Sequence, residues 1–325
     1  MHPMTPKAHV GSDIQQAAKL LAEGKLVAIP TETVYGLAAN AYDPEAVLGI
    51  FEAKKRPFFN PLIVHTADMS RIADFAGPIP PSLRKLAEQF WPGPLTMLLP
   101  RSPKIDPLIT AGSPFVAVRI PAHTLTLELL RQLPFPIAAP SANLFGTISP
   151  TQSTHVEAQF GDVLAYILDG GPSSVGIEST IVKLAEDERV QILRHGGVTV
   201  EHLASVLGYV PETAKALHDA PEAPGMLKSH YAPRIPLVLG DIQTLISAHS
   251  GKQIAILAYT NHDYLPTDVP LQILTLQGDM HEAARNLFNM MHLLEHSGAE
   301  IIIAEKAPET GLGIAINDRL MRAAS

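Results

Sequence analysis

Short apolar runs, each ended by a proline, a glycine or a polar residue, constrain the fold of this chain more than any other feature. The runs at 26–29, 62–65 and 115–120 are examples, and their lengths are typical of buried strands rather than of helices. Patterns with helical spacing separate some of these runs, whereas other runs follow one another directly. A regular alternation would favour a doubly wound parallel sheet, so this order predicts an α/β fold with a mixed sheet.

The helices of this fold are expected where a capping residue precedes an apolar stripe. Asp13 precedes one such stripe, and Asp43 precedes a second, in which Pro44 suits the first helical position. Two further helices are expected at 82–90 and 124–132. The predicted strands of this region lie at 26–29, 62–65, 95–99, 115–120, 137–139, 163–168 and 179–184.

The composition of the chain changes after residue 207. The stretch at 211–236 is rich in Pro, Ala and Glu, which predicts a partly extended linker. The pattern beyond it combines short strands with one long helix, which favours a smaller βαβ-type domain. These elements are predicted at 253–258, 272–276, 280–297 and 301–304. The expected parts of the chain are a first domain at 1–207, a linker or lid at 208–236 and a Rossmann-like α/β domain at 237–325.

Composition and charge exclude several classes of protein. The 325 residues include 46% hydrophobic residues, enough for a large core, and carry a net charge of −8, which argues against a globally basic nucleic-acid binder. The chain has no cysteine, which excludes disulfides, iron–sulfur clusters, zinc–thiolate sites and a cysteine nucleophile. No signal-peptide pattern and no membrane-length apolar run occurs, so we expect a cytoplasmic protein without a membrane segment.

Polar residues stand where two predicted strands begin or end. The segment PTETVYGL at 30–37 follows a buried run, and its hydroxyls, carboxylate and glycine suit either a ligand loop or a structural turn. The segment KKRPFFNPL at 54–62 places Lys54, Lys55 and Arg56 beside two proline-fixed steps. Such cations can form a solvated helix end, but the stiffness of the loop favours an anion site.

A single arginine, Arg119, lies inside the apolar run at 115–120. A buried guanidinium needs a partner, and its planar fork suits the carboxylate of a ligand as well as that of an Asp or Glu of the chain. Small hydroxyl residues and glycines at 138–151 and 170–180 allow a backbone to approach a phosphate or a sugar closely.

Taken together and in order, these motifs resemble the YrdC-like threonylcarbamoyl-AMP synthase family, in its longer two-domain branch. The resemblance covers residues from about 12 to 240 by motif and the remainder by domain layout. It implies a YrdC-like catalytic domain whose twisted mixed sheet curves around a positively lined cavity. The motifs are PTETVYGL, KKRPFFNPL, WPGPLT, VRIP, APSAN, GIESTIV and, in the linker, PGM and HYAP.

The resemblance also implies an activity. Members of the family make threonylcarbamoyl-AMP from L-threonine, bicarbonate and ATP, release pyrophosphate and need no protein nucleophile. The product serves the threonylcarbamoyl modification of an adenosine in tRNA, so a downstream tRNA-threonylcarbamoyl transferase is an expected partner. Mg²⁺ is expected to arrive with ATP, held by phosphates and water and not by protein ligands.

The same resemblance assigns site residues by position. Lys54 and Arg56 are expected to act in catalysis by stabilising charge on the phosphates. The residues expected to bind threonine are Thr33, His65, Arg119, Ala139 and Ser179. Those expected to bind ATP are Arg56, Asn60, Ser141, Ser149, Arg194 and Tyr231.

Two other functions remain open at this stage. A non-catalytic RNA-binding YrdC-like module is disfavoured by the charge of −8 and by an aromatic fraction of 6%, so no stable nucleic-acid binding is expected. A carbamoyl-adenylate enzyme of metallocentre maturation would bring zinc-finger cysteines, which this chain lacks. Three positions depart from the family pattern: Lys55 replaces a common Gly, Phe145 stands where Ser is usual, and Ser229 stands where a basic residue is expected.

Overall fold

The structure is a computed structural model that describes residues 8–214, 222–227 and 229–325. Positions 215–221 and 228 of the predicted linker therefore lie outside the described residues. No helix in the described part of the chain is long and apolar enough to cross a bilayer.

The first part of the chain forms one large mixed sheet, as predicted. Its spatial order is β1-β8-β2-β3-β7-β4-β6-β5-β9-β10-β11. The sheet contains parallel pairs, such as β4 with β6, and antiparallel pairs, such as β5 with β6. The strands are β1 (His9–Gly11), β2 (Val27–Ile29), β3 (Gly36–Asn40), β4 (Ile63–His65), β5 (Leu95–Pro100), β6 (Phe115–Arg119), β7 (Ile137–Ala138), β8 (Tyr166–Leu168), β9 (Thr180–Leu184), β10 (Val190–Arg194) and β11 (Glu212–Thr213).

Helices cover this sheet, and the two predicted N-caps are present. The Asp13 carboxylate accepts a hydrogen bond from the Gln16 amide at 3.1 Å, and the Asp43 carboxylate accepts one from the Glu45 amide at 3.1 Å. The helices are α1 (Ile14–Ala22), α2 (Pro44–Lys54), α3 (Pro81–Phe90), α4 (Pro107–Thr110), α5 (Thr124–Gln132), α6 (Ser153–Phe160) and α7 (Val200–Leu207), with a 3₁₀ helix at Met69–Asp74.

The last part of the chain forms a four-stranded sheet of order β12-β15-β13-β14. Its three neighbouring pairs are all parallel, which agrees with the expected Rossmann-like α/β architecture. Its elements are β12 (Leu237–Leu239), α8 (Ile242–Ala248), β13 (Ile254–Ala258), β14 (Leu271–Ile273), α9 (Met280–Glu295), β15 (Ile301–Ala304) and α10 (Leu312–Ala323).

The two sheets belong to domains that share a core. Val34, Ile148 and Ile177 of the first domain pack in one buried cluster with residues of α9 and α10. A polar contact joins the same surfaces: Gln152 donates a hydrogen bond to the Asn289 side chain at 3.0 Å. The second domain is therefore docked on the first, next to the segments that form the site described below.

Candidate active site

A cavity of about 50 Å³, partly open to solvent, lies at one edge of the large sheet. Strand register explains its position. His65 at the end of β4 pairs with Arg119 at the end of β6, and Arg119 pairs with Thr96 near the start of β5. Arg194 at the end of β10 pairs with Ile181 of β9. Polar side chains from separate motifs therefore converge on one edge.

Most of the residues assigned by resemblance line this cavity, and three do not. Lys54, Asn60 and Ser149 are buried behind its walls. Whether each assigned residue binds a ligand stays a prediction, but the structure brings the cavity-lining residues together. They are Thr33, Arg56, His65, Arg119, Ala139, Ser141, Ser179, Arg194 and Tyr231.

Arg56 and Arg194 are buried cations held by neutral groups. Arg56 donates from Nε to the Asn60 carbonyl at 3.1 Å and from Nη2 to the Pro61 carbonyl at 2.8 Å. Arg194 donates from Nη2 to the Ser179 carbonyl at 2.9 Å and from Nη1 to the Pro224 carbonyl at 2.9 Å. No carboxylate of the described residues forms an ion pair with either guanidinium.

This arrangement leaves positive charge uncompensated at the cavity wall. Burial lowers the pKa of Arg56 to about 9, and burial also lowers the pKa of Arg194. Both groups remain protonated near neutral pH. An anion that entered the cavity would relieve the cost of burying these charges.

Lys54 occupies a supporting position. Its ammonium donates to the Ser141 carbonyl at 2.6 Å and to the Asn143 carbonyl. These contacts fix the loop that follows β7. Burial lowers its pKa well below the ordinary value for lysine. Lys54 is not among the residues that line the cavity, and it positions the loop that carries Ser141. Its expected contact with phosphates stays a prediction.

Asn60 and Ser149 also contact the walls rather than the cavity. The Asn60 carbonyl orients Arg56, and the side-chain amide of Asn60 has no hydrogen-bond partner among the described residues. The Ser149 hydroxyl donates to the Glu178 carboxylate at 2.6 Å.

Arg119 pairs with a carboxylate of the chain, one of the two partners that its sequence context allowed. Its Nη2 lies 2.8 Å from Glu32 Oε1, and its Nη1 donates to the Thr33 hydroxyl at 2.9 Å. It also lines the cavity. Because each terminal nitrogen carries two N–H groups, the pairing with Glu32 orients the guanidinium and leaves donors for a ligand carboxylate.

His65 and Ser179 complete this side of the cavity. Burial and the neighbouring charge of Arg119 lower the pKa of His65 to about 3, so the ring is neutral near pH 7. Its Nδ1 lies 3.1 Å from the Ile63 carbonyl, which places the proton there and leaves Nε2 as an acceptor. The Ser179 hydroxyl lies 2.7 Å from the Thr96 hydroxyl.

The described residues of the linker cover the cavity. Pro224, Gly225, His230 and Tyr231 line it, and Tyr231 is 1% exposed. A Cβ on Gly225 would lie 2.7 Å from the Tyr231 hydroxyl oxygen, so this close approach requires glycine. The Tyr231 hydroxyl has no partner among the described residues, which leaves it available to a ligand.

Two of the departures from the family pattern have structural explanations. Phe145 packs beside Arg56, whose Cζ lies 6.0 Å from the ring centroid, and beside His230 at 5.8 Å. Phe145 thus contributes a cation–π contact where the family pattern has a hydroxyl. Lys55 ends α2 with a φ of 52°, a conformation that favours the glycine common at this position.

In a comparison with known proteins, each of the two domains matches a family model. Residues 19–196 match the Sua5–YciO–YrdC family model, which is described as telomere recombination. Residues 198–325 match the model described as threonylcarbamoyl-AMP synthase, C-terminal domain. The chain belongs to the threonylcarbamoyl-AMP synthase family.

Full-length relatives in this family share the two-domain layout. The chain is 42% identical over 321 residues to the threonylcarbamoyl-AMP synthase of Bacillus subtilis, covering 96% of this chain and 92% of the relative. It is 41% identical over 324 residues to the synthase of Pyrococcus abyssi, with 95% and 93% covered. A crystal structure of Pyrococcus abyssi Sua5 complexed with L-threonine superposes with a TM-score of 0.90 at 39% identity, covering 98% of this chain and 97% of that one.

Sequence patterns did not single out Glu178 and Arg319, which contact each other at the cavity wall. A signal for each was present. Glu178 is the one acidic residue of GIESTIV, and Arg319 lies three residues after Ile316 on the apolar face of α10. Each is thus a single charge among mostly uncharged neighbours, which is the same signal that identified Arg119.

Proposed function

We propose that this chain joins L-threonine, bicarbonate and ATP into L-threonylcarbamoyl-AMP, with release of pyrophosphate, for the threonylcarbamoyl modification of a tRNA adenosine. The observation that supports this proposal is that one cavity contains two kinds of arginine, which differ in their partners. Arg119 is oriented by Glu32, whereas Arg56 and Arg194 contact only neutral groups. The first suits a small carboxylate, and the other two suit a polyanion.

The side of the cavity near Arg119 binds threonine. The free N–H groups of Arg119 donate hydrogen bonds to the carboxylate of the amino acid, and the hydroxyls of Thr33 and Ser179 are placed for its polar groups. Neutral His65 contributes an acceptor and no repulsive charge toward the amine. Ala139 contributes a small side chain, which lets the ligand approach the backbone closely.

The side near Arg56 and Arg194 binds the nucleotide. Their guanidinium groups neutralise the phosphates and stabilise the charge that develops on the leaving pyrophosphate. The hydroxyls of Ser141 and Tyr231 add hydrogen bonds. Because burial in the cavity wall and backbone hydrogen bonds already fix both arginines, little reorganisation is needed during the reaction.

The chemistry requires no nucleophile from the protein. The threonine amine and bicarbonate form a carbamate with loss of water, and a carbamate oxygen attacks the α-phosphorus of ATP. The bond to pyrophosphate breaks as the new P–O bond forms. The protein supplies proximity and alignment, and the linker over the cavity excludes the water that would hydrolyse the carbamate or the mixed anhydride.

Mg²⁺ fits this site as a companion of ATP. Among the described lining residues only Glu178 carries a carboxylate, and both of its oxygens accept hydrogen bonds from the chain. The described residues contain no group of three or more candidate metal ligands. We therefore infer that phosphates and water hold the ion, which adds positive charge at the phosphates.

The product of this reaction is a reactive mixed anhydride. We infer that a tRNA-threonylcarbamoyl transferase consumes it soon after release, in the cytoplasm, where ATP and tRNA are available. Stable binding of tRNA by this chain is not part of the proposal.

Pyrophosphate release tests the proposal. The purified chain is incubated with MgATP and bicarbonate, with L-threonine, with L-threonine methyl ester or with neither. We expect release with threonine and little with the ester, because the ester lacks the carboxylate charge that Arg119 binds. Equal release in all three mixtures, or no release together with salt-dependent RNA binding, would instead favour another function.

A further inference from the structure

Glu178 stands out at the cavity wall because it brings negative charge to a site built from cations. It is the one carboxylate among the described lining residues and is 7% exposed. Its Oε1 accepts a hydrogen bond from the Ser149 hydroxyl at 2.6 Å. Its Oε2 accepts one from Arg319 Nε at 2.9 Å. Both oxygens are thus occupied by hydrogen bonds to Ser149 and Arg319, and neither pairs with an arginine of the nucleotide side.

Arg319 reaches Glu178 from the second domain. It lies on α10 and is 0% exposed. Its Nη1 donates to the His195 carbonyl of the first domain at 2.7 Å and to the Asp318 carboxylate at 3.0 Å. Its Cζ lies 5.4 Å from the centroid of the Tyr231 ring. One guanidinium therefore contacts the first domain, the linker and its own helix.

Glu178 and Arg194 line the same cavity, and the charge of Glu178 opposes the lowering of the Arg194 pKa by burial. Arg194 donates to the carbonyl of Ser179, the residue that follows Glu178, and no carboxylate of the described residues pairs with it. A buried carboxylate is strongly attracted to an unpaired guanidinium and repels phosphates. Without Arg319, Glu178 would compete with the triphosphate for Arg194.

We propose that Arg319 is a positioning residue for the reaction: by binding Glu178 from the second domain, it keeps this carboxylate off Arg194 and leaves Arg194 and Arg56 free for the triphosphate. The second domain thereby takes part in nucleotide binding, through a contact that lies behind the cavity wall. This inference rests on the proposed function.

The charge state of Arg319 agrees with this role. Burial alone would lower its pKa, but Tyr231, Glu178 and Asp318 together raise the pKa above the ordinary value for arginine. Arg319 therefore stays protonated across the pH range in which an enzyme works. A buried ion pair gives little net stability compared with well-packed apolar residues, so stability alone does not account for it.

The test measures the binding of MgATP by calorimetry, with the full-length chain and no other substrate. Arg319→Met is expected to weaken MgATP binding about tenfold. The double variant Arg319→Met/Glu178→Gln is expected to recover to within about threefold of the unmodified chain, since the competing charge is gone. Glu178→Gln alone is expected to bind MgATP at least as well as the unmodified chain. Arg285→Met, which removes an exposed arginine from helix α9, is the matched control.

The double variant Arg319→Met/Glu178→Gln shows whether Arg319 acts through its charge or only supports the structure. If it binds MgATP as weakly as Arg319→Met, or if Glu178→Gln alone weakens binding tenfold, the proposal is wrong. If Arg319→Met does not fold, Arg319→Gln with and without Glu178→Gln provides the same comparison, because glutamine removes the charge but keeps a hydrogen-bond donor. The readout does not depend on turnover, so an absence of threonine-dependent pyrophosphate release would count against the proposed function and not against this inference.

Discussion

Individual arginines of the site differ in what compensates their charge, and this difference determines what each can bind. Arg119 has Glu32 at 2.8 Å, so its orientation is fixed and its net charge is partly cancelled. Arg56 and Arg194 are oriented by backbone carbonyls, which fix a guanidinium without neutralising it. A ligand phosphate therefore gains more at Arg56 and Arg194, and a single carboxylate suffices at Arg119.

Replacement of Arg119 is expected to affect threonine more than ATP. Arg119→Gln removes a charge-assisted contact of about 1.5–3 kcal/mol, so the KM for threonine is expected to rise roughly tenfold to a hundredfold, while the KM for ATP changes little. Steady-state pyrophosphate release measures both constants, with Arg84→Gln on the exposed face of α3 as control. An unchanged KM for threonine would exclude Arg119 as the carboxylate ligand.

Replacements of Arg56 and Lys54 are expected to differ in kind. Arg56→Gln removes a cavity cation and is expected to weaken ATP binding about tenfold, and it is expected to cost less stability than Lys54→Met because the glutamine amide can still donate to the carbonyl of Asn60 or Pro61. Lys54→Met leaves the buried carbonyls of Ser141 and Asn143 without their donor, which is expected to cost about 1–3 kcal/mol of stability. Urea unfolding and ATP calorimetry on both variants separate the two roles. The same pattern in both variants would refute this distinction.

At the scale of elements, the linker and α10 support each other. The Arg322 side chain donates to the Leu227 carbonyl, and the His230 amide donates to the Arg322 carbonyl at 3.2 Å. The Ser229 hydroxyl donates to the Ser325 carbonyl at 3.0 Å. The segment that covers the cavity is thus anchored on the second domain, next to the helix that carries Arg319.

Ligands are expected to protect the linker from proteases. If the linker acts as a lid over bound substrates, ATP together with threonine stabilises its closed arrangement and slows cleavage within 211–236. Limited proteolysis followed by mass analysis of the fragments measures the rate, and ATP with L-alanine is the control mixture. Cleavage at one rate in all mixtures would indicate a linker that only joins the domains.

Acid pH is expected to weaken the contact between α6 and α9. The rings of His155 and His292 lie 4.0 Å apart. Burial lowers the pKa of His292 to about 3 and that of His155 to about 4. Because the unfolded chain takes up protons near pH 6.5 and the folded chain does not, the stability that these neutral rings contribute is complete above about pH 6.5 and is lost as the pH falls toward 4.

The loss attributable to His292 is about 2 kcal/mol at pH 5. Urea unfolding at pH 7.5 and pH 5 measures it. His292→Gln is expected to lose less stability over this interval than the unmodified chain, whereas His281→Gln, on the exposed face of α9, is expected to behave like the unmodified chain. An equal loss in all three proteins would assign the pH dependence to other groups.

Elements with strong local signals could be predicted from the sequence, and the others could not. The apolar run that forms β6 and the capped stripe of α2 were identified because periodicity and caps are local. β3 has the sequence GLAAN, in which small residues resemble a turn, and its burial comes from neighbouring strands. The predicted strand at 163–168 is shorter in the structure, where β8 spans Tyr166–Leu168, since the first residues of the apolar run complete the turn after α6.

For the molecule as a whole, ordered motifs identified the fold and most of the cavity wall. These motifs lie at strand ends, and the sheet register then brings them together. Contacts between distant segments carry no such signal. Arg319 and Glu178 are 141 residues apart in the chain, so the participation of the second domain in the cavity wall was visible only in three dimensions. For the same reason, the supporting position of Lys54 under the loop at Ser141 could not be predicted.

The central claim is that one cavity joins threonine, bicarbonate and ATP. Its most direct test is the mass of the AMP-containing product formed by the full-length chain with MgATP, L-threonine and ¹³C-labelled bicarbonate, quenched rapidly and analysed by mass spectrometry. We expect threonylcarbamoyl-AMP that is heavier by the mass of the label, formed only when threonine is present and in amounts equal to the pyrophosphate released. Pyrophosphate release without incorporation of the labelled carbon, or an adenylate that forms equally well without threonine, would contradict the account.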